Sequence, residues 1–581
     1  MRRFPIFLIL FAAALPLRAQ VATVEVSRPY DVNLDGIRKP VIPVAVDDSL
    51  HRFDIHFDYS IFNRPYGDLY DFTPYESVQL STVGANRAPF VFARLGAQYA
   101  PGDKGVLPAG ELYLQTKPRN GFCSGLYGRH NSSFFDGRYT GAADFPALHT
   151  ARQENTVGGD LTYDWATGEM MVDVSYDFDR YDYALDPSGL AAEGDPARAA
   201  GHRNNSLSAA VNFNSAQKEA SMVYYDVTFA YRRTGKKFGL ESLSGLPAGR
   251  DSLTEGLLTV NGYVGATFDT HRMYVDMNIE YATYAGTHDF SIGVVEFSPI
   301  YRYQHKRLDA RLGVTFGTRY GTPGEIPEPN LDLRAHNSIF PDVDVRYTLV
   351  KNALWIHAVV AGGNDLNPYS RMLEDCPIVL PSSRMEFGSR PVDATFSLEG
   401  VIGGRLGINV EGNYKLYSNK MIFVPVYDGT GLNQLTASYR DVNQYSVQGE
   451  VFWRSENLAL GGRLRYARYA DRDDGSVLTE MPSWTGYGFL RYNYRGRLIS
   501  QIECNYRGKT GGTMAALSGD VVAPTYEVSP ILDVDLNVNY MINKSFAVFA
   551  KAGNLLNRRN QYMPLYLEPG INFGGGICLN F

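Results

Sequence analysis

The feature that most constrains this chain is a two-residue rhythm. In "ILDVDLNVNY" (531–540) the apolar side chains Leu532, Val534, Leu536, Val538 and Tyr540 take every second place. Asp533, Asp535, Asn537 and Asn539 fill the gaps. On a strand, successive side chains point to opposite faces. This stretch therefore folds as a ribbon with one oily face and one face of acids and amides.

The rhythm returns along most of the chain. "MMVDVSYDFD" (170–179) sets Val172, Val174, Tyr176 and Phe178 against Asp173, Ser175 and Asp177. "MVYYDVTFAY" (222–231), "MYVDMNIEYA" (273–282), "LDARLGVTF" (308–316) and "VDATFSLEG" (392–400) repeat it, and helical periodicity is nowhere sustained. Tight turns are expected near 118–120, 166–168, 215–219, 269–271, 305–307, 351–352, 403–404, 455–457, 495–496 and 541–545. Longer polar connections are expected near 100–108, 131–153, 185–202, 233–254, 285–289, 319–337, 363–390, 428–441, 471–481, 508–528 and 557–569. Short and long connections alternate and join about 22 strands, with "MIFVPVY" (421–427) read as an extension of the strand before it.

A soluble sandwich does not require connection lengths to alternate, and a propeller would repeat a signature every 40 to 50 residues or so. An even number of strands of about ten residues, with short turns at one end and long loops at the other, is the pattern of an outer-membrane barrel. The expected fold is thus all-β, a transmembrane antiparallel barrel of about 22 strands over residues 91–581. Inverting a strand would place acids in hydrocarbon, at a cost on the order of a few kcal/mol for a charge near mid-bilayer. The polar row should therefore line a wet lumen through Asp173, Asp177, Asp276, Glu280, Asp342, Asp344, Asp533, Asp535, Asn537 and Asn539. Asp226, Asp393, Glu399 and Glu450 join this row, with Arg311, Arg346, Arg454, Arg463 and Arg465 in partial compensation. Forty Tyr and 31 Phe suit both strands and interfacial aromatic belts.

The first residues, "MRRFPIFLILFAAALPLRAQ", read as a cleavable signal peptide over 1–19, so the chain is expected to be exported, and the barrel pattern then makes the Gram-negative outer membrane its expected location. Residues 20–90 form a proline-interrupted segment, expected to be a periplasmic arm or partial plug. A formal net charge of −7 gives no basic excess that would suggest nucleic acid. Cys123, Cys376, Cys504 and Cys578 lack metal or redox spacing. "DVNLDG" (31–36) opens like a calcium loop, but its twelfth position is Ile42. "GFCSG" (121–125) misplaces its serine for a nucleophile elbow. No cofactor, metal site or catalytic group is expected, and the chain is read as a non-enzyme.

The C-terminal stretch "FAVFAKAGNLLNRRNQY…EPGINFGGGICLNF" (546–581) resembles the last strands of TonB-dependent receptors. "FPDVDVRYTLVKNALWIHAVVAGG" (340–363) resembles their mid-barrel hairpins, and the whole is similar to a shortened, apparently plugless Bacteroidetes-type group. The resemblance implies an outer-membrane transport barrel passing or binding a solute, without a full plug. It further implies assembly-machinery recognition through Phe573, Ile577, Leu579 and Phe581, and TonB contact through Thr23, Val24, Glu25, Val26 and Ser27. Outer-membrane lipids and a surface or periplasmic protein are the other expected partners. The alternative expectation is a non-transporting structural or assembly subunit that docks partner proteins.

Overall fold

The computed structural model describes residues 90–99, 107–137, 148–184, 199–215, 223–240, 250–268, 271–287, 289–322, 336–427, 434–516, 525–543, 545–563 and 566–580. Residues 1–89, with the signal, the calcium-like loop and the TonB-contact segment, lie outside the described residues, as does Phe581.

Twenty-two strands form one antiparallel sheet that closes on itself. The first are β1 (Phe90–Tyr99), β2 (Leu107–Gln115), β3 (Phe122–Gly137), β4 (Leu148–Trp165) and β5 (Gly168–Ala184). Next come β6 (Ala199–Asn214), β7 (Val223–Leu240), β8 (Arg250–Phe268), β9 (His271–Gly286) and β10 (Ser291–His305). These are followed by β11 (Leu308–Thr322), β12 (His336–Val350), β13 (Leu354–Leu366), β14 (Phe387–Ile402) and β15 (Leu406–Tyr427). Then run β16 (Gln434–Arg454), β17 (Leu458–Asp471), β18 (Trp484–Tyr494) and β19 (Leu498–Arg507). The last are β20 (Ile531–Met541), β21 (Phe546–Gly553) and β22 (Asn572–Asn580). Each pairs with the next, and β22 returns to β1 from Phe92↔Asn580 to Tyr99↔Phe573. Closure leaves no row of unpaired backbone groups at a sheet edge.

The described strands are separated at each of the ten places where a tight turn is expected and each of the eleven where a longer connection is, and 421–427 does continue β15. Their residues explain the tightness: Asn120 (φ 53°) and Gly121 (φ 83°) make a two-residue hairpin in which Arg119 and Phe122 exchange backbone hydrogen bonds of 2.9 and 3.0 Å. Several long connections are shorter than the polar sequence suggests. Between β3 and β4 only 138–147 separates the strands, because His130, Asn131 and Ser132 extend the ladder beyond the apolar stretch. Backbone pairing does not need apolar side chains, so strand ends run on into polar sequence.

One face of the sheet is exposed and apolar, with Val174, Tyr176 and Phe178 on β5 and Phe229 and Tyr231 on β7. Aromatic side chains cluster at two heights. Near the short turns Phe122 stacks on Tyr163 at 4.3 Å; on β18, Trp484 stands at one end and Tyr492 and Tyr494 at the other. Ten residues on a strand tilted by about 40° span roughly 25 Å of height, the thickness of the apolar band of outer-membrane barrels.

Candidate functional site

The connection between β13 and β14, residues 367–386, is the part of the molecule with most to say about function. It begins with Pro368, whose fixed φ suits the start of a helix. The helix α1 (Tyr369–Asp375), of about two turns, follows and buries Tyr369, Ser370, Met372 and Leu373. Its N-terminal N–H groups lack intrahelical partners. The Glu255 carboxylate of β8 accepts from two of them, Tyr369 N and Ser370 N, the latter at 3.0 Å. Cys376 N donates back to Met372 O at 2.7 Å and Pro377 ends the helix.

Beyond α1 the chain is extended. Ile378, Val379 and Leu380 are all buried, and Tyr369 Oη donates to Val379 O at 3.0 Å. Leu380 N donates to Leu435 O of β16 at 3.0 Å. Tyr439 Oη, also on β16, donates to Arg384 O at 3.0 Å and accepts from Glu386 N at 3.1 Å. On the other side Lys236 Nζ of β7 donates to Pro377 O at 2.7 Å, and Asn204 Nδ2 of β6 joins it at 3.1 Å. Arg371 pairs with Glu280 of β9 at 3.0 Å, and Arg232 of β7 contacts Glu374. A segment bonded at once to β6, β7, β8, β9 and β16 lies on the concave side of a closed sheet. It packs there against Phe238, Leu253, Leu257, Ala282, Tyr284 and Val294 in one apolar cluster.

Burial also sets the chemistry of this segment. Asp375 is pushed up to about 6, first by desolvation and then by the neighbouring Glu374 charge. Desolvation pushes the Cys376 thiol up to about 12, so it stays protonated and unreactive.

The polar row has a face in common with these contacts. On β5, Asp173 and Asp177 alternate in step with buried Tyr181, a member of the same apolar cluster. Asp173 accepts from Tyr127 Oη at 3.0 Å and Asp177 from Thr156 Oγ1 at 2.7 Å. On β9, Asp276 alternates in step with Glu280, the Arg371 partner. Arg311 joins Asp276 (3.7 Å) and Asp342 (2.7 Å), and His357 Nε2 lies 2.8 Å from Asp344 Oδ1. On β20, Asp533 and Asn537 are buried and Asp535 accepts from Asn554 N at 2.9 Å. Asn537 and Asn539 stand in register with Gln501 and Ile499. Phe573 and Ile577 are exposed on the opposite face, in step with Leu579.

The structure thus brings Glu280 to the 367–386 segment and joins Asp276 to Asp342, while Asp533–Asn539 form a separate patch two strands from the closing seam. Sequence reading placed 363–390 as a polar outer connection and missed the inward course. The available signal was Ile378–Val379–Leu380, an apolar run with no place in a solvated loop. Among the described residues no cluster of His, Cys, Asp and Glu has the arrangement of a metal site.

No family model and no curated protein matches the sequence. Solved structures do match. The copper transporter OprC superposes with a TM-score of 0.63 at 10% identity, over 84% of this chain and 80% of that one. The siderophore receptor PirA from Acinetobacter baumannii gives 0.64 at 11%, over 86% and 81%. The FrpB iron transporter from Neisseria meningitidis (F3-3 variant) gives 0.62 at 9%, over 86% and 82%. The likeness is one of fold.

Proposed function

We propose that this chain is an outer-membrane transport barrel, related in design to TonB-dependent receptors, whose passage is narrowed by its own 367–386 segment. The observation that carries the reading is that segment, crossing the concave side of a closed 22-stranded barrel with an apolar outer belt. A barrel of about this size encloses a lumen that must be obstructed if it is not to leak. The fold likeness to a copper transporter, an iron transporter and a siderophore receptor supports transport of a solute. In this reading Asp173, Asp177, Asp276, Glu280, Asp342, Asp344, Asp533, Asp535, Asn537 and Asn539 line the passage. Arg311 beside Asp276 and Asp342, and Arg371 beside Glu280, offset part of the negative charge of that lining and leave it mildly acidic. Residues 20–90 serve as a partial plug or docking arm, with Thr23–Ser27 available to TonB.

Planar-bilayer recording tests this. The wild type should conduct weakly, and a variant with 368–385 replaced by a short Gly-Ser linker should conduct severalfold more. If neither form conducts, and neither binds a solute in an uptake-competent screen, transport is the wrong function and the docking-subunit reading takes its place.

A further inference from the structure

The outer wall carries a hollow that nothing in the fold demands. A groove of about 430 Å³ is lined by Val447 and Gly449 of β16, Leu464 and Tyr466 of β17, and Trp484 of β18. Gly449 is the glycine of that lining, and three more share the same face nearby: Gly449 stands opposite Leu464, Leu464 opposite Gly486, and Gly462 opposite Gly488. None of the four has a positive φ. A Cβ added at Gly449 would meet nothing within 4 Å, and at Gly462, Gly486 and Gly488 it would make only ordinary contacts of 3.5 Å or more. Backbone strain and internal packing therefore do not explain these glycines. What they do is remove side chains from one patch of a face where Val447, Leu464, Val451, Leu460 and Leu490 otherwise stand out.

The surroundings identify the occupant. The groove opens on the apolar belt, so whatever fills it arrives from the bilayer. At its end nearer the long connections Tyr466 and Trp484 pack 4.9 Å apart, the placement of amphipathic rings at headgroup level. One step further along the same face of β17, about 7 Å away, stands Arg468. Arg468 is exposed and has no carboxylate partner among the described residues. An apolar channel, an aromatic collar and a cation follow in the order of a lipid's chain, glycerol region and phosphate. We propose that the groove holds one acyl chain of a membrane lipid whose phosphate meets Arg468. The inference rests on the membrane reading given above.

Native mass spectrometry of the full chain in mild detergent tests it, with phosphatidylglycerol and with diacylglycerol of the same chain length as probes. The wild type should retain one phosphatidylglycerol through delipidation. Gly449→Phe, which fills the groove, should weaken retention of both lipids about tenfold, and Arg468→Ala should weaken phosphatidylglycerol alone. A heat-modifiable gel shift reports folding; if Gly449→Phe fails to fold, Gly449→Leu serves in its place. Equal retention by wild type and groove variants, no retained lipid, or a stoichiometric protein in the lipid's place would each overturn the proposal. Failure of the membrane reading is distinguishable, because the wild type would then stay monodisperse without detergent.

Discussion

Asp375 shows how one side chain reports on the segment that crosses the barrel. Its carboxyl titrates near 6 in the folded chain, against an ordinary value of 3.8. A raised acid pKa means that the folded form holds the proton more tightly than the unfolded one. The contribution of this one group to stability is therefore full below about pH 4 and is lost as pH rises towards 6, by about 2–3 kcal/mol. Amide hydrogen exchange over 376–386, corrected for intrinsic rates, should show protection falling at least tenfold between pH 4 and pH 7. In Asp375→Asn the protection should be flat over that range. An identical pH dependence in the variant would show that another group controls the segment. Two neighbouring buried groups are held by hydrogen bonds to backbone: Lys236 has the Pro377 carbonyl, and Glu255 has the first N–H groups of α1.

Among the elements, the closing seam is tightly specified. Phe549 of β21 stands in register with Gly576 of β22, which stands in register with Gly96 of β1. The phenyl ring lies so close to Gly96 that a Cβ there would come within 2.7 Å of it, and the Arg94 guanidinium sits 4.3 Å from the ring centroid. A Cβ on Gly576 would fall 2.0 Å from Leu95 O, a backbone atom that cannot swing aside. Gly576→Ala should therefore impair closure more than Gly575→Ala, and Phe549→Ala should cost about 3–5 kcal/mol. The temperature at which the folded band is lost on semi-native gels would rank them. Much of this level was legible beforehand. Strand number, turn sites and the outward set follow from local chemistry, since each residue's own polarity selects its face. The inward course of 367–386 was not legible, because its contacts are remote: Glu255 precedes Tyr369 by 114 residues. The outer groove escaped for a related reason, as lateral register brings Val447, Gly449, Leu464, Tyr466 and Trp484 together from three strands.

For the molecule as a whole, the two faces of the wall make opposite demands. Ile502 of β19 is exposed on the apolar face, and Gln501 beside it faces the other way, bonded to Glu503. Ile502→Arg should lower folding stability in lipid vesicles by roughly 2–4 kcal/mol, whereas Gln501→Arg should change it by well under half as much. Urea titration of the refolded barrel would read both, and equal costs would remove the distinction between a hydrocarbon-facing and a wetted surface. The seam carries a further consequence, one of timing. Every other neighbour in the ring is joined by a nearby connection, but Phe92 must find Asn580 across almost the entire polypeptide. Bringing such distant partners together costs roughly 4 kcal/mol more entropy than shutting a hairpin. The ring consequently closes last, and until it does both terminal strands are open to wrong neighbours. A cell that makes this protein has to chaperone that final encounter.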